Sequence, residues 1–171
     1  MSMSSAAIPT FEITLNAVSK LLDKAEAFAG ARKIEPSVLL NARLAPDMLP
    51  FTRQVQIACD LAKYGAARLA GIEAPKSEND ETTMAQLKER IARTLAFIKT
   101  VDAKAIDASG SREITFPLGP KTGEMIGAAY LNHFVLPNFY FHAAIAYAIL
   151  RHNGLDIGKQ DFLAGIPIKI T

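Results

Sequence analysis

Four stretches of the sequence repeat apolar residues at intervals of three and four, and this repetition limits the possible folds more than any other feature. Such spacing places apolar side chains along one face of an α-helix, and that face has to be buried against another element. Each stretch is at least 20 residues long, which is enough for a helix of several turns. The stretches are residues 10–33, 49–71, 82–101 and 130–154. We therefore predict an all-α fold, a four-helix bundle whose apolar faces share one core.

A long connection before the fourth stretch is the main irregularity of the predicted bundle. It covers residues 102–127 and includes the segment REITFPLG, which can form one short strand. We expect a turn at Gly119-Pro120 and a partner for the strand near Lys121 to Met125. The whole connection would then act as a crossover or a flap.

Size and composition fit one domain that is soluble. The chain has 171 residues and half of them are hydrophobic, so it can bury a sizeable core. We predict a flexible N-terminal tail over residues 1–10 and a single four-helix-bundle domain over residues 11–171. The longest strongly apolar run, FYFHAAIAYAIL, is too short to span a bilayer, and no secretory pattern opens the chain. We therefore expect a cytoplasmic protein that does not bind membranes.

Charge and cysteine content argue against several functions. The 19 Lys and Arg residues and the 17 Asp and Glu residues alternate along the chain, so no basic patch for nucleic acid is expected. Charged residues of the second and third stretches, such as Asp60, Lys63 and Arg90, are expected to face solvent. The single cysteine, Cys59, excludes an intramolecular disulfide and fits a reducing compartment. Its place within an amphipathic helix predicts a buried structural thiol.

The fourth stretch contains a histidine inside an apolar helix, in the segment NFYFHAAIAYAILRHNG. His142 follows Asn138 by four residues, and side chains with this spacing share a face because their directions differ by about 40°. Gln54 lies beside the apolar face of the second stretch, near its start. We therefore expect these three polar side chains to meet in the interior of the bundle.

His142 allows three interpretations. A neutral imidazole can act as a base or a ligand, so His142, Asn138 and Gln54 can form a small polar pocket with His133 near its mouth. His142 can also bind a divalent metal, although amides are poor ligands for zinc. The third interpretation is a core histidine that is hydrogen-bonded to an amide or a carbonyl and has no chemical role. Catalytic residues are not assigned.

Two long segments carry a resemblance to a known family. They are ARLAPDMLPFTRQVQIACDLAKYGAARLAG, and LPNFYFHAAIAYAILRHNG with the following IGKQDFL. They resemble an uncharacterised bacterial family that is grouped with the DinB/YfiT-like superfamily of metalloenzymes, and the resemblance extends over residues 11–165. It implies a four-helix bundle that is often paired into homodimers through helix faces.

The resemblance also implies a place for a metal. Proteins of the superfamily commonly bind a divalent metal through one histidine of the second helix and a His-x-x-x-His pair of the fourth, and some use it for thiol-dependent transfer or isomerisation. In this chain His142 matches the last ligand and Asn138 replaces the first histidine of the pair. The second helix has no histidine, and its nearest polar residues are Gln54 and Gln56.

Since two of the three expected ligands are missing, we predict a small-molecule-binding or structural protein with a degraded metal site and no cofactor. We also expect a homodimer. One alternative is a metal-dependent transferase or isomerase that uses His142 as a ligand. Another is a homodimeric interaction module. Whether the protein is an enzyme stays open at this point.

Overall fold

The structure is a computed structural model and describes residues 2–168. Most of this part of the chain is helical, and each of the four predicted stretches contains a long helix. In chain order the elements are α1 (Met3–Arg32), α2 (Pro36–Leu40), α3 (Phe51–Ala70), α4 (Met84–Thr100), α5 (Ala103–Ala108), β1 (Glu113–Leu118), β2 (Lys121–Ile126), α6 (Gly127–Ala129), a π-helical segment (Tyr130–Val135), α7 (Leu136–His152) and α8 (Lys159–Phe162).

The four long helices surround one hydrophobic core. Helix α3 packs against α4 and α7, and α1 packs against the same two helices. Phe11 of α1 and Phe139 of α7 are fully buried and meet edge to face, with ring centroids 5.0 Å apart. A Cβ atom at Gly65 would lie 2.7 Å from Val135 Cγ1, so the glycine allows α3 to approach the π-helical segment closely.

The N-terminal tail predicted over residues 1–10 is corrected by the structure, because α1 already begins at Met3. Ser4 donates from its backbone N and its Oγ to the Asp107 carboxylate, at 2.7 and 3.0 Å. Ala7 is completely buried. These contacts with α5 hold the first turns of α1 against the domain, and they could not be foreseen from a serine-rich opening. Met1 and residues 169–171, which we assigned to the tail and to the domain, lie outside the described residues.

The predicted helical fold is confirmed for most of the described chain, but the connection before the fourth stretch forms a two-stranded antiparallel sheet, so the fold is not all-α. Glu113 pairs with Ile126 and Leu118 pairs with Lys121, so the turn falls at Gly119-Pro120 as predicted. Phe116 of β1 is buried, and its ring centroid lies 4.4 Å from that of Phe134. The hairpin therefore covers the start of the fourth helical stretch.

The fourth helical stretch is longer than the apolar run seen in the sequence. Residues 127–152 form a continuous helix that contains an 18-residue window with a mean hydropathy of 1.2, so it is long and apolar enough to cross a membrane. A core helix of a soluble protein passes the same test, and α7 packs against α1 and α3 and contributes to the core. We therefore interpret it as a helix of a soluble protein. The cytoplasmic location stays a prediction.

Candidate functional site

The predicted polar pair lies where the start of α3 meets α7. Gln54 is buried, with 1% of its surface exposed, and its Oε1 lies 2.7 Å from Nδ1 of the half-buried His142. The Gln54 Nε2 donates to the backbone oxygen of Leu49 at 3.0 Å. This second contact fixes the orientation of the amide, so Oε1 accepts and the imidazole Nδ1 donates. The contact that we expected between Gln54 and His142 is therefore present.

The electrostatic surroundings of His142 favour the neutral imidazole. Burial lowers the pKa of His142 below its ordinary value of 6.5, and the nearby positive charge of Arg53 lowers it further. At neutral pH the ring is uncharged, and its Nδ1 carries the hydrogen that the Gln54 oxygen accepts. The pair is thus a neutral hydrogen bond between two helices.

The other two candidate residues do not join this pair. The Asn138 side chain donates from Nδ2 to the backbone oxygen of Phe134 at 2.6 Å, one turn earlier in the same helical run. His133 is exposed in the π-helical segment. Within residues 2–168, no hydrogen bond links Asn138 or His133 to His142 or Gln54.

The side chains near His142 do not fit the three-histidine ligand set of the superfamily. His142 contributes one imidazole, and the neighbours that replace the other ligands carry amides, which are poor ligands for divalent metals. Within the part of the chain that the structure describes, no three His, Cys, Asp or Glu side chains gather in a way that could hold a metal ion. The imidazole and amide groups around His142 therefore form a polar contact within the core.

The stability of the protein should depend on pH through His142. Its folded pKa is lowered below 6.5, so the unfolded state binds more protons at slightly acidic pH, and stability falls as the pH decreases through this interval. A His142→Gln variant, which is neutral at every pH, should lack this contribution. Urea unfolding between about pH 7.5 and pH 5.5 measures the difference in free energy between the two proteins. A difference that is the same at every pH would contradict the lowered pKa.

A buried network of charges lies on the neighbouring face of α3, and the sequence did not reveal it. Arg90 of α4 is only 2% exposed, and its Nη1 donates to both carboxylate oxygens of Glu81 at 2.9 and 3.2 Å. Its Nη2 donates to Asp60 Oδ1 at 2.8 Å. Burial alone would raise the pKa of Glu81, but hydrogen bonds from Arg90 and Gln56 outweigh burial and hold that pKa below its usual value. Glu81 is therefore an ionised, buried partner of Arg90.

The network corrects the prediction that Asp60, Lys63 and Arg90 face solvent. Arg90 and Lys63 are both buried, and the side chain of Asp60 is only 25% exposed. Lys63 Nζ lies 3.5 Å from Asp60 Oδ1, so the carboxylate of Asp60 bridges two cationic side chains. Buried ions are tolerated when they are paired in this way.

The network continues to the end of α3 that carries the predicted site. Gln56 Nε2 donates to Glu81 Oε2 at 2.7 Å, and Arg53 Nη1 donates to Gln56 Oε1 at 2.6 Å. A cleft of about 340 Å³ opens beside these side chains. Arg53 belongs to both places, since it lines the cleft and also lowers the pKa of His142. The polar residues of the cleft wall include Asn41, Thr52, Arg53, Gln56, Glu81 and Thr82.

The single cysteine is a structural residue, as predicted. Cys59 is 1% exposed and forms no disulfide. Burial raises the pKa of its thiol to about 12, so the nucleophilic thiolate is not formed at neutral pH.

Long helices around one core, with a hairpin before the last of them, are the architecture of a DinB-like protein. The family model described as "Domain of unknown function (DUF1993)" matches residues 3–163. The chain belongs to this family, which lies within the DinB-like superfamily. The crystal structure of a DinB family member protein from Shewanella denitrificans matches with a TM-score of 0.91 and 39% sequence identity, over 98% of this chain and 95% of that chain. No curated protein matches the chain.

Proposed function

We propose that this protein is a four-helix bundle that binds a small polar molecule without a metal, in the cleft at the start of α3. The observation that carries the proposal is the polar wall of the cleft, where Arg53, Gln56 and Glu81 are fixed by successive hydrogen bonds. A volume of about 340 Å³ is within the range of small-molecule sites. Side chains that are already oriented lose little conformational entropy when a ligand binds.

The charges of the cleft indicate what kind of molecule would bind. Arg90 neutralises Glu81, whereas Arg53 donates to a neutral amide and forms no ion pair with a carboxylate of the described residues. A guanidinium group recognises a carboxylate through paired hydrogen bonds. A small carboxylic acid that faces Arg53, with hydroxyl or amide groups toward Asn41 and Thr52, fits this wall.

Binding experiments with two classes of ligand distinguish this proposal from the metal-dependent alternative. Untagged protein is tested by thermal shift against small mono- and dicarboxylic acids, and against Zn²⁺, Ni²⁺ and Mn²⁺. We expect at least one acid to raise the melting temperature in a saturable way, since a ligand of the folded state stabilises it. The effect should disappear in Arg53→Gln and persist in Arg32→Gln, a matched control with an exposed arginine on α1.

Other outcomes of this experiment would decide against the proposal. If no acid stabilises the protein, or if the effect is unchanged in Arg53→Gln, the cleft is not the site. If a divalent metal binds at one ion per chain and is lost in His142→Ala, the metal-dependent alternative replaces it. Arg53→Gln and His142→Ala should be compared with the wild type by circular dichroism, so that a loss of fold is recognised.

The homodimer is a second proposal, and it rests on the outer face of α7. Tyr140 and Phe141 are 44% and 53% exposed, although aromatic side chains usually lie in the core. Tyr140 also lines an apolar pocket of about 110 Å³ together with Leu163 and Ile166, which are 41% and 39% exposed. Apolar patches of this kind mark interfaces. We propose that a second copy of the chain covers this face in a symmetric dimer.

A further inference from the structure

A second and smaller cavity shares Arg90 with the buried network. It has a volume of about 70 Å³ and lies between α3, α4 and the loop that joins them. Four of the side chains around it are basic, and none of the described residues that line it is acidic. Its polar lining consists of Lys63, Lys76, Ser77, Arg90, Arg93 and Thr94.

The inner wall of this cavity carries hydrogen-bond donors that are not fully used. Arg90 Nε is buried and has no hydrogen-bond partner within the described residues. Lys63 is 4% exposed, and its ammonium group donates to Ser77 Oγ. Because Ser77 accepts this bond through its oxygen, its own hydrogen is free to be donated. Buried donors without an acceptor are costly, so a ligand that supplies several acceptors would be favourable here.

The charge around the cavity is positive in excess. Asp60 and Glu81 compensate the two buried cations, Arg90 and Lys63, from outside the cavity. Lys76 is exposed and lines the rim of the cavity, where it adds a further positive charge. An anion that enters the cavity would therefore meet cationic side chains in surroundings of low dielectric constant, where charge-assisted hydrogen bonds are strong.

The size of the cavity limits the anion. A single water molecule needs a cavity of only about 10–15 Å³, so about 70 Å³ holds an ion of several atoms. Sites for organic ligands of ordinary size begin at roughly 300 Å³. A tetrahedral oxyanion, with four acceptor oxygens around one atom, matches both the volume and the surplus of donors.

We propose that this cavity binds a phosphate group, as the free ion or as the end of a small phosphate ester. Lys63, Ser77 and Arg90 supply the inner donors. Lys76 attracts the anion at the rim, where Arg93 also lies but is paired with Glu89 of its own helix. This site is distinct from the carboxylate cleft, which is lined by Arg53 and Glu81.

Isothermal titration calorimetry with the full chain tests the proposal. Inorganic phosphate, sulfate and methyl phosphate are titrated at constant ionic strength, with chloride as the balancing anion. We expect one site per chain with a Kd of about 1 mM or lower for phosphate. Ser77→Ala should weaken binding about tenfold and Lys76→Gln about threefold or more, because each removes one donor to a charged group. Lys20→Gln, an exposed lysine of α1, is the matched control and should bind as the wild type does.

The outcomes separate the proposal from its alternatives. Tighter binding of methyl phosphate than of phosphate would indicate an ester as the ligand, and the reverse would indicate the free ion. Arg53→Gln should retain phosphate binding. The phosphate result can therefore be interpreted even if the cleft beside Arg53 binds no carboxylic acid. The proposal is overturned if the wild type gives no saturable heat with phosphate or with methyl phosphate at about 20 mM, well above the expected Kd. It is also overturned if Ser77→Ala and Lys76→Gln both keep the affinity of the wild type while folded.

Discussion

Replacement of Arg90 by alanine is expected to lower the free energy of unfolding by about 3–5 kcal/mol. The variant leaves the carboxylate of Glu81 buried without its cationic partner, and it removes the donor that Asp60 contacts. An uncompensated buried charge is among the largest penalties that a single substitution can cause. Since whole domains are stable by only about 5–15 kcal/mol, this change should remove a large part of the total.

Arg93 offers a matched control for this prediction on the same helix. It also contacts a carboxylate, since its Nη1 lies 2.6 Å from Glu89 Oε1, but both side chains are more than half exposed. Arg93→Ala should therefore cost less than about 1 kcal/mol. Urea unfolding followed by circular dichroism gives both values. Equal costs for the two variants would show that the buried ion pair does not stabilise the fold.

A double substitution tests whether the charge itself is responsible. Arg90→Met combined with Glu81→Met removes both ions and fills part of the space with apolar side chains. Its cost should be clearly smaller than the sum of the two single substitutions, because no unpaired charge remains. Additive costs would instead indicate that lost packing, rather than an unpaired ion, explains the effect of Arg90→Ala.

The helices could be predicted from the sequence because their signals are local. The apolar spacing within each stretch and breakers such as Gly71 depend only on nearby residues. The hairpin turn at Gly119-Pro120 was predicted for the same reason, and Gly119 has a φ of 59°, which favours glycine. Most of the secondary structure could therefore be predicted from local sequence.

The buried ions could not be predicted, because their stability depends on partners far along the chain. Arg90 follows Leu87 by three residues and precedes Thr94 by four, so its place beside the buried face was visible. A charged residue in this place normally extends to solvent. Glu81, in the loop before α4, and Asp60 of α3 make its burial favourable, and nothing local to the arginine indicates these contacts.

The candidate site was predicted in part, and the reason for the difference is geometric. Helix faces brought Gln54 and His142 together, as the sequence indicated. Asn138 lies on the expected helix, but its side chain donates to the backbone oxygen of Phe134 instead. A short amide side chain has a backbone acceptor within reach in every helix, and the spacing of residues does not decide which acceptor it uses.

The second large effect is expected for the oligomeric state, at the outer face of α7. Phe141 is 53% exposed in the single chain, next to Tyr140 in the apolar face that we propose a second copy covers. In a symmetric dimer each copy contributes the same residue, so one substitution changes the interface twice. Phe141→Lys would place two ammonium groups in this interface, where a buried and unpaired charge is unfavourable.

We expect the wild type to sediment as a dimer at micromolar concentration and Phe141→Lys to sediment as a monomer. Its dimer Kd should rise by at least about 100-fold, which corresponds to about 2.8 kcal/mol. The substitution is at an exposed position of the single chain, so the helical circular dichroism should be retained. Val38→Lys is the matched control, because Val38 is equally exposed at 56% but belongs to α2. This face is excluded as the dimer interface if the wild type is monomeric at about 100 μM. It is also excluded if Phe141→Lys dimerises as tightly as the wild type, and its exposed aromatic residues would then indicate another partner.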